Sequence, residues 1–418
     1  MVLKKILKFL TQPFGHRGAQ PYTSFATFRE QFKKQSGVAL IIAVMTISII
    51  MMFAVDFIVS SNLEFKMAVI QRENVKAEYL AKSGANLAIF LISADYGVDL
   101  FMASPQSPAK TAMTDNLGDF WGMINGLPIG SDNAKKVGEM FKLGAVMDEE
   151  VINQMKQLDG EFVVDVQDEQ SKINVNYCVH GRDCPEVMAM MDSLMNCPVE
   201  KVFLERKEVK WRELAYKIKD FVDKNSTAEP FSGLSDEAEP YRKKKIPYSP
   251  KDAPLDSVDE LRLVDGWDRD IHTVFSRYMT VYPFQDANKT QVPPKININT
   301  APRELLSCLF SDMKADCREK SIISLNERDD KKSSSVATEK DIADFVKKNF
   351  CYTPPAGTAA PGTDKTKWFD VKTTVFRIKV RGQSGDQEKN LEVVVERRAP
   401  DLAKNIKSSF RVLYSRML

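Results

Sequence analysis

The chain has 418 residues, of which 43% are hydrophobic and 28% are charged, and its formal net charge at pH 7 is +2. This length leaves room for a membrane anchor and about two folded units, each with its own hydrophobic core. Because the overall charge is close to zero, the composition gives no reason to expect nucleic acid or an acidic substrate as a partner.

An uncharged apolar segment near the N-terminus predicts a helix that spans a membrane. The segment has no charged residue from Val38 to Val55, and its continuation to Val59 gives a helix of roughly 30 Å, the thickness of the hydrocarbon core of a bilayer. The preceding residues 1–37 contain seven lysines and arginines but only one acid, Glu30. This excess of positive charge predicts a cytoplasmic N-terminus and a C-terminal domain on the other side of the membrane.

The junction between the basic leader and the apolar segment indicates how the chain is processed. An ordinary secretory signal peptide has an apolar stretch of about 7–15 residues followed by small residues, whereas here the stretch is longer and Gly37 directly precedes it. This pattern resembles a prepilin-type signal. The resemblance implies that a membrane peptidase cuts between Gly37 and Val38, methylates the new N-terminus and leaves the anchor in the mature protein. The leader is long for this family, and Val38 stands where phenylalanine or methionine is more common.

The segments beyond the anchor predict a mixture of helices and strands. Residues 60–94 have the spacing of an amphipathic helix, and residues 95–135 are typical of loops with a short helix near Phe120 and Trp121. A strand is predicted at 160–166, and alternating segments around Gly385 and Asp386 predict a β-hairpin. Further helices are predicted at 185–196, 208–222 and 258–265, and the hairpin strands at 375–380 and 391–396.

Two asparagine-rich segments carry a more specific resemblance. The sequence K-I-N-V-N at 172–176 follows the predicted strand, and K-I-N-I-N at 295–299 lies about 120 residues further on. Two such segments with a mostly helical domain between them are typical of the K-type minor pseudopilins of bacterial type II secretion systems, which the chain resembles. Most pseudopilins have glutamate as the fifth residue of the mature chain, and its replacement, here by Ile42, is characteristic of the K type.

The resemblance implies an α+β fold. An N-terminal transmembrane and extended helix is followed by a pilin-like α/β head, into which a mostly α-helical domain, similar to SAM or helix-hairpin-helix domains, is inserted. The implied boundaries are a cytoplasmic leader at 1–37, the transmembrane part of the helix at 38–59, the periplasmic helix and first part of the head at 60–176, the inserted helical domain at 177–290, the second part of the head with its hairpin at 291–400, and a tail at 401–418.

The resemblance also implies a function. The chain would be a non-enzymatic minor pseudopilin at the tip of the periplasmic pseudopilus, which contributes to pseudopilus initiation and to protein export across the outer membrane. Ile42 would determine tip placement, because a buried glutamate in a subunit with no neighbour above it would stay unpaired. The implied location is the inner membrane, with one span, a cytoplasmic N-terminus and a periplasmic C-terminal domain. The implied partners are the I- and J-type minor pseudopilins, the major pseudopilin, the prepilin peptidase and the lipid bilayer, and not nucleic acid.

A second functional class comes from the segment that begins at Asn297. Residues 297–306 also resemble the opening of a helix-hairpin-helix module, so the alternative function is a membrane-tethered DNA-uptake protein or a minor type IV pilus component. Phosphate binding requires clustered lysines and arginines beside helix N-termini, whereas Asp312 and Asp316 lie near this segment. The competing structural interpretation is that Thr300 caps a helix and the flanking asparagines shape its turn.

The sequence offers no constellation for catalysis. It contains only three histidines, His16, His180 and His272, and none of the motifs G-x-S-x-G, Walker A, G-x-G-x-x-G or H-E-x-x-H. We therefore predict that the chain is not an enzyme.

The six cysteines all lie after the apolar segment. In an exported domain they would meet an oxidising compartment, so all six are candidates for disulfides, although the sequence does not select a pairing. Buried free thiols and zinc ligands are the alternatives. The candidates are Cys178, Cys184, Cys197, Cys308, Cys317 and Cys351.

An acidic segment near residue 220 offers oxygen ligands for Ca²⁺, which prefers carboxylate and carbonyl oxygens. Relatives of the K type have a similar acidic loop at the end of a helix, and Ca²⁺ is associated with their fold. Lys224 and the lack of a glycine argue against an EF-hand, and the alternative is a solvated acidic loop that caps a helix. The candidate ligands are Asp220, Asp223, Asn225 and Glu239.

Overall fold

The structure is a computed structural model that describes residues 25–104, 113–130, 159–180, 184–284, 295–331, 336–355, 360–398 and 409–418, and the single positions 133, 150 and 153. For residues 25–36 it describes the backbone only. The chain divides into two compact units, Met1–Gln71 and Arg72–Leu418.

The first unit contains the N-terminal part of one long helix, α1 (Phe25–Ala103). Within the described residues, α1 is the one helix that is long and apolar enough to cross a membrane. Between Val38 and Val59 every apolar side chain larger than alanine leaves more than half of its surface exposed. The hydroxyls of Thr46 and Ser48 donate to backbone carbonyls of the preceding turn at 2.9 and 2.8 Å, which satisfies them without water.

The strands of the second unit form one larger sheet and two short parallel pairs. The larger sheet is antiparallel and has five strands, the first, second, seventh, eighth and ninth in the chain, in that order. The strands are β1 (Pro128–Gly130), β2 (Glu161–Asp168), β3 (Ile173–Asn174), β4 (Met279–Thr280), β5 (Ile296–Asn297), β6 (Phe369–Asp370), β7 (Val375–Ser384), β8 (Gln387–Arg398) and β9 (Ser409–Met417).

The part of α1 that follows Arg72 packs on one face of the five-stranded sheet. In β2, every second residue from Phe162 to Val166 is buried, which is the pattern of a strand with one face in a core. These side chains share a hydrophobic cluster with Ala81, Leu91 and other residues of α1. The pilin-like arrangement of one helix on an antiparallel sheet therefore follows from the helical spacing of apolar residues in α1 and from their alternation in β2.

The predicted hairpin is confirmed. Ser384 pairs with Gln387, so Gly385 and Asp386 alone form the turn between β7 and β8, and Gly385 has a φ of +54°. The segment 401–418, in contrast, was predicted to be a tail, and its last ten residues include β9, which pairs with β8 along the edge of the sheet. Residues 401–408 lie outside the described part of the chain.

The helices that follow residue 184 build a second hydrophobic core, which contains residues from Ile173 to Val394. The helical part does not stop at the predicted boundary of 290, because three helices that join this core lie between residues 303 and 350. The helices are α2 (Phe120–Met123), α3 (Pro185–Met195), α4 (Pro198–Arg206), α5 (Trp211–Val222), α6 (Glu239–Arg242), α7 (Arg269–Phe275), α8 (Arg303–Leu309), α9 (Ala315–Lys331) and α10 (Ile342–Phe350).

Some predicted helix boundaries differ from those observed. The helix predicted at 208–222 begins at Trp211, and α4 was not predicted at all. The helix predicted at 258–265 is a 3-10 helix over Val258–Leu263. The helix α9 continues through polar residues to Lys331, and residues 332–335 lie outside the described part of the chain.

The two asparagine-rich segments have the same hydrogen-bonding role. In each, the side-chain oxygen of the first asparagine accepts a hydrogen bond from the backbone N–H of the second at 3.0 Å. The side chain of the second asparagine then forms hydrogen bonds of 2.8–3.0 Å with both the N–H and the C=O of one distant residue. The equivalent residues are Asn174, Asn176 and Leu255 in the first case and Asn297, Asn299 and Val336 in the second.

The repetition extends beyond the asparagines. Two residues after each distant partner, at Ser257 and Thr338, a 3-10 turn begins whose N-terminal N–H donates to an acidic side chain three residues on, at 3.1 and 3.0 Å. Each asparagine-rich strand also pairs in parallel with a short strand at the end of its region, β3 with β4 and β5 with β6. Residues 173–280 and 296–370 are thus two tandem copies of one module.

We expect Gly382→Ala to destabilise the second unit. A Cβ at Gly382 would lie 2.3 Å from the carbonyl oxygen of Ala77 and 2.6 Å from the backbone nitrogen of Ala81, so α1 would have to move off the sheet, at a cost of about 1–3 kcal/mol. Thermal unfolding of the full chain in detergent, followed by circular dichroism, measures the loss as a lower Tm. Gly97→Ala is the matched control, because nothing lies within 4 Å of its Cβ position and alanine favours an exposed helix. An unchanged Tm for Gly382→Ala would contradict this packing.

Candidate functional site

The residues predicted for processing lie on α1 in the first unit. The helix is continuous through Gly37 and Val38, and no atom lies within 4 Å of the position that a Cβ would take at Gly37. Val38 and Ile42 expose 60% and 57% of their surface. Nothing in the described part of the chain therefore packs against Gly37, although residues 1–24 lie outside it. Cleavage after Gly37 stays a prediction.

Three acidic side chains meet at the C-terminal end of α5. Asp220, Asp223 and Glu237 each contribute a carboxylate oxygen that lies within 4.8 Å of the other two. All three side chains are buried, with no more than 2% of the residue surface exposed. We refer to these three residues as the α5 cluster.

The α5 cluster has few hydrogen-bond donors. One oxygen of Asp220 accepts a hydrogen bond from the N–H of Glu229 at 3.0 Å. The other oxygen of Asp220, both oxygens of Asp223 and one of Glu237 are buried without a partner among the described residues. Buried carboxylate oxygens usually have donors because an unpaired buried charge is costly. Four such oxygens at one place form a donor set suited to a cation.

The electrostatics of the α5 cluster favour a positive charge at this place. Burial, followed by the charge of Asp220, raises the pKa of Asp223 to about 6. Burial, followed by the charge of Asp223, raises the pKa of Glu237 to about 8. The C-terminal end of α5 adds a partial negative charge. The nearby ammonium of Lys219 forms an ion pair with Glu229, outside the α5 cluster.

Two of the four predicted ligands do not belong to the α5 cluster. The carboxylate of Glu239 forms an ion pair with Lys243 at 2.6 Å, and its other oxygen accepts from Ser235. The side-chain oxygen of Asn225 accepts from the N–H of Thr227 at 2.8 Å. Glu237 takes the third place in the α5 cluster instead. Because its segment has no periodic pattern, Glu237 and Glu239 could not be distinguished from the sequence alone.

The geometry of the α5 cluster fits Ca²⁺. All converging atoms are carboxylate oxygens, which Ca²⁺ prefers, and oxygens on opposite sides of a Ca²⁺ ion are about 5 Å apart. The spacing of up to 4.8 Å is compatible with that distance. Asp220 and Asp223 belong to the end of α5, whereas Glu237 lies beyond a stretch without regular secondary structure. An ion held here would connect that stretch to α5.

A second group of acids, two of them buried and the third partly buried, lies where α1 meets the segment before α2. We refer to Asp95, Asp115 and Asp119 as the α1 cluster, and one oxygen of each lies within 4.8 Å of the other two. Burial, followed by the charge of Asp119, raises the pKa of Asp95 to about 9. Burial raises the pKa of Asp119 to about 7. The nearby Asp99 has its pKa raised to about 6, by burial and then by the charge of Asp115.

The second asparagine-rich segment is buried rather than open to a ligand. Asn297 exposes none of its surface, and Thr300 exposes 9%. Both donate side-chain hydrogen bonds to the carboxylate of Asp168. The prediction that Thr300 caps a helix is wrong, because α8 has Pro302 at its N-cap and the hydroxyl of Thr300 donates to Asp168 instead. These side chains are therefore occupied and offer no donor to a DNA phosphate.

All six candidate cysteines are paired in the structure. Their Cα–Cα distances, 5.3, 5.0 and 5.8 Å, lie in the usual range for disulfides. The first disulfide lies within the first tandem module, the second joins the two modules, and the third lies within the second module. The pairs are Cys178–Cys184, Cys197–Cys308 and Cys317–Cys351.

Comparison with known proteins relates both the sequence and the fold to one group. A family model described as protein K of the type II secretion system matches residues 171–284, which include the first tandem module. A chain in the crystal structure of the GspK–GspI–GspJ complex from the type 2 secretion system of enterotoxigenic Escherichia coli has a similar fold, with a TM-score of 0.50 and 15% sequence identity. The match covers 83% of this chain and 97% of that chain. No curated protein matches. The predicted α+β fold is confirmed.

Proposed function

We propose that this chain is a K-type minor pseudopilin of a type II secretion system, as the family model that matches residues 171–284 supports, and that it occupies the tip of the periplasmic pseudopilus. There it contributes to the initiation of the pseudopilus and to protein export across the outer membrane. Its anchor lies in the inner membrane with the N-terminus in the cytoplasm, as the basic leader before Val38 favours. The prepilin peptidase is the partner that removes this leader.

The proposal that the chain lies at the tip rests on the uncharged side chain of Ile42. A carboxylate inside a bilayer costs several kcal/mol unless a positive group pairs with it. A subunit inside a filament has a neighbour whose amino terminus pairs with such a carboxylate, whereas a subunit at the tip has none above it. An apolar residue at the fifth mature position avoids that cost.

The exposed face of α1 in the second unit supports assembly with other pseudopilins. Val75, Tyr79, Phe90 and Phe101 are separated by four and eleven residues, or about one and three helical turns, so they lie on one side of the helix. They expose 46%, 64%, 48% and 62% of their surface. The similar chain of known structure is in a complex with GspI and GspJ. We assign this face to I- and J-type pseudopilins and, further along the filament, to the major pseudopilin.

A structural rather than enzymatic role is supported by the surroundings of His272. Its Nε2 lies 3.1 Å from a carboxylate oxygen of Asp259, and its Nδ1 accepts a hydrogen bond from the indole N–H of Trp267 at 3.3 Å. Burial lowers the pKa of this histidine. Both ring nitrogens are therefore used within the fold, and neither activates a nucleophile in this arrangement.

The α5 cluster is the proposed Ca²⁺ site of this protein. Asp220, Asp223 and Glu237 would hold the ion, which supplies the positive charge that their buried carboxylates lack. The consequence is structural: Glu237 is kept beside the end of α5, and the intervening stretch is held in place. The alternative of a solvated acidic loop is less consistent with carboxylates that are almost fully buried.

Replacement of Gly37 by valine should block processing, because a branched side chain would occupy the space that the peptidase requires at the cleavage position. The full chain is expressed with a prepilin peptidase, and the N-terminal sequence and mass of the membrane-bound product are measured. Gly18→Val, in the same leader, serves as the control and should be cleaved normally. Cleavage of the Gly37→Val chain at the normal position would contradict the assignment, and so would a wild-type product that keeps its leader.

The double variant Tyr79→Ser with Phe90→Ser should lose assembly with I- and J-type pseudopilins. Loss of two aromatic side chains that the proposed interface would bury costs about 3 kcal/mol or more, or roughly a hundredfold in affinity. Co-purification of the full chains from membranes measures the effect. Phe231→Ser is the control, since Phe231 is a similarly exposed aromatic residue, at 54%, far from α1 in sequence. Undiminished co-purification of the double variant would rule out this face.

Ca²⁺ bound by the α5 cluster should protect the stretch after α5 from cleavage by a protease. Lys224 is exposed directly after Asp223, so trypsin cleavage after Lys224 reports on local opening of this stretch. Saturation of the site at a hundredfold of its Kd should slow this cleavage by up to about a hundredfold, since it stabilises the closed form by about 2.7 kcal/mol. Asp223→Asn should abolish this protection, while the control Asp236→Asn, at a half-exposed acid that pairs with Arg242, keeps it. Equal cleavage rates in Ca²⁺ and in chelator for the wild-type chain would disprove the site.

A further inference from the structure

The α1 cluster brings together acids that lie far apart in the sequence. Asp95 belongs to the last turns of α1, and Asp115 and Asp119 lie in the segment that leads into α2. Asp95 and Asp115 expose 6% and 2% of their surface. The α1 cluster lies in the pilin-like part of the head, on other elements than the α5 cluster, and the function proposed above makes no use of it.

The hydrogen bonds of the α1 cluster leave one oxygen without a partner. Both oxygens of Asp115 accept from the Arg397 guanidinium at 2.8 and 3.0 Å, and one also accepts from the N–H of Thr373. The carboxylate of Asp119 accepts from the N–H and the side-chain amide of Asn116, both at 2.7 Å. Asp95 accepts only one weak bond through Oδ1, at 3.4 Å from the N–H of Phe120, and its Oδ2 is buried without a donor among the described residues.

The charges of the α1 cluster do not balance within the fold. The buried carboxylates of Asp95 and Asp115 and the partly buried one of Asp119 face one guanidinium, that of Arg397, which pairs with Asp115. Two negative charges therefore remain uncompensated when all three acids are ionised, and Asp99 adds a further acid nearby. Burial of uncompensated charge is strongly unfavourable. The deficit equals the charge of one divalent cation.

We propose that Asp95, Asp115 and Asp119 form a second divalent cation site, which takes Ca²⁺. The converging donors are carboxylate oxygens, with no sulfur or imidazole among them, and this favours a hard cation over zinc or copper. Mg²⁺ usually keeps several waters and is held by one or two carboxylates, whereas Ca²⁺ takes six to eight oxygen ligands, so three converging carboxylates favour Ca²⁺. One oxygen of each acid lies within 4.8 Å of the other two, which is compatible with this ion.

The position of the site gives the ion a specific structural effect. Asp95 comes from α1, while Asp115 and Asp119 belong to a segment that is held to the sheet through Arg397 of β8 and Thr373. A cation bound by all three carboxylates connects the end of α1 to this segment and, through Arg397, to the sheet. The site therefore fastens the helix that carries the proposed partner face to the rest of the head.

The test is the number of Ca²⁺ ions that bind per chain. The full chain in detergent is stripped with chelator, and bound ⁴⁵Ca²⁺ is measured by equilibrium dialysis. We expect Asp95→Asn to lose one bound ion per chain relative to the wild type. Asp223→Asn should remove the ion of the α5 cluster without affecting the α1 cluster. The numbers of ions lost in the two variants should therefore add in the double variant. Asp192→Asn is the control: Asp192 is a partly buried acid on α3 beside Arg212, and its replacement should leave the ion count unchanged.

The outcomes separate the two sites from each other and from misfolding. Asparagine has nearly the shape of aspartate and removes one repelling charge, so Asp95→Asn should unfold in chelator at a temperature no lower than the wild type does. An ion lost with Asp95→Asn but not with Asp223→Asn supports the α1 site, even if the α5 cluster binds nothing. An unchanged ion count in a folded Asp95→Asn chain overturns the proposal, and so does a wild-type chain whose bound Ca²⁺ disappears entirely with Asp223→Asn.

Discussion

The head is held together by one buried carboxylate, that of Asp168 at the end of β2. It exposes 4% of its surface and accepts hydrogen bonds from the hydroxyls of Thr300 and Thr373 and from the amide of Asn297. These donors come from the second tandem module and from the segment before β7. Because a buried carboxylate without donors costs several kcal/mol, the sheet and the helical part cannot separate at this point without that penalty. Asp168 thereby joins the helical part to the end of β2.

The buried carboxylate of the neighbouring residue, Glu169, is stabilised differently, by positively charged groups. Burial alone would raise its pKa, but the charges of Lys172 and Arg377 outweigh burial and lower the pKa to about 2. Asp168 has mainly neutral donors, and burial raises its pKa to about 6. The adjacent acids therefore differ in their dependence on charge. Glu169 is an ion-paired link between β7 and the first module, whereas Asp168 is a hydrogen-bond acceptor that joins several segments.

The elements that could be predicted from the sequence are those whose signal is local. The anchor from Val38, the amphipathic continuation of α1 and the β7–β8 hairpin each follow from a period or from a turn such as Gly385-Asp386. The α4 helix was missed although Pro198 at its first turn is a start signal, because the helix is short and separated from α5 by only a few residues. β9 was missed because residues 409–417 become a strand through pairing with β8, which is a contact between distant parts of the chain.

The candidate metal site shows the same limit. Asp220 and Asp223 could be chosen from the sequence because they flank the end of one helix, but their third partner could not. Glu237 and Glu239 differ by two positions in an irregular segment, and only the fold decides that Glu237 is buried and that Glu239 pairs with Lys243. The α1 cluster is even harder to predict from the sequence, because Asp95 belongs to a helix and Asp115 to a loop. Their proximity results from the packing of α1 on the sheet.

The duplication of the helical module explains how a pilin-like head can be so large without losing its assembly surface. Each module begins and ends with short strands that pair in parallel, β3 with β4 and β5 with β6, so each returns the chain close to its starting point. The five-stranded sheet therefore keeps its continuity across an insertion of roughly two hundred residues between β2 and β7. The buried side of α1 remains covered by that sheet, as the small residues Ala77 and Ala81 opposite Gly382 require. The opposite side of α1, with Tyr79 and Phe90, stays exposed. The proposed role at the tip is consistent with this division, because the inserted helices leave uncovered the helix face that we assign to the partner pseudopilins.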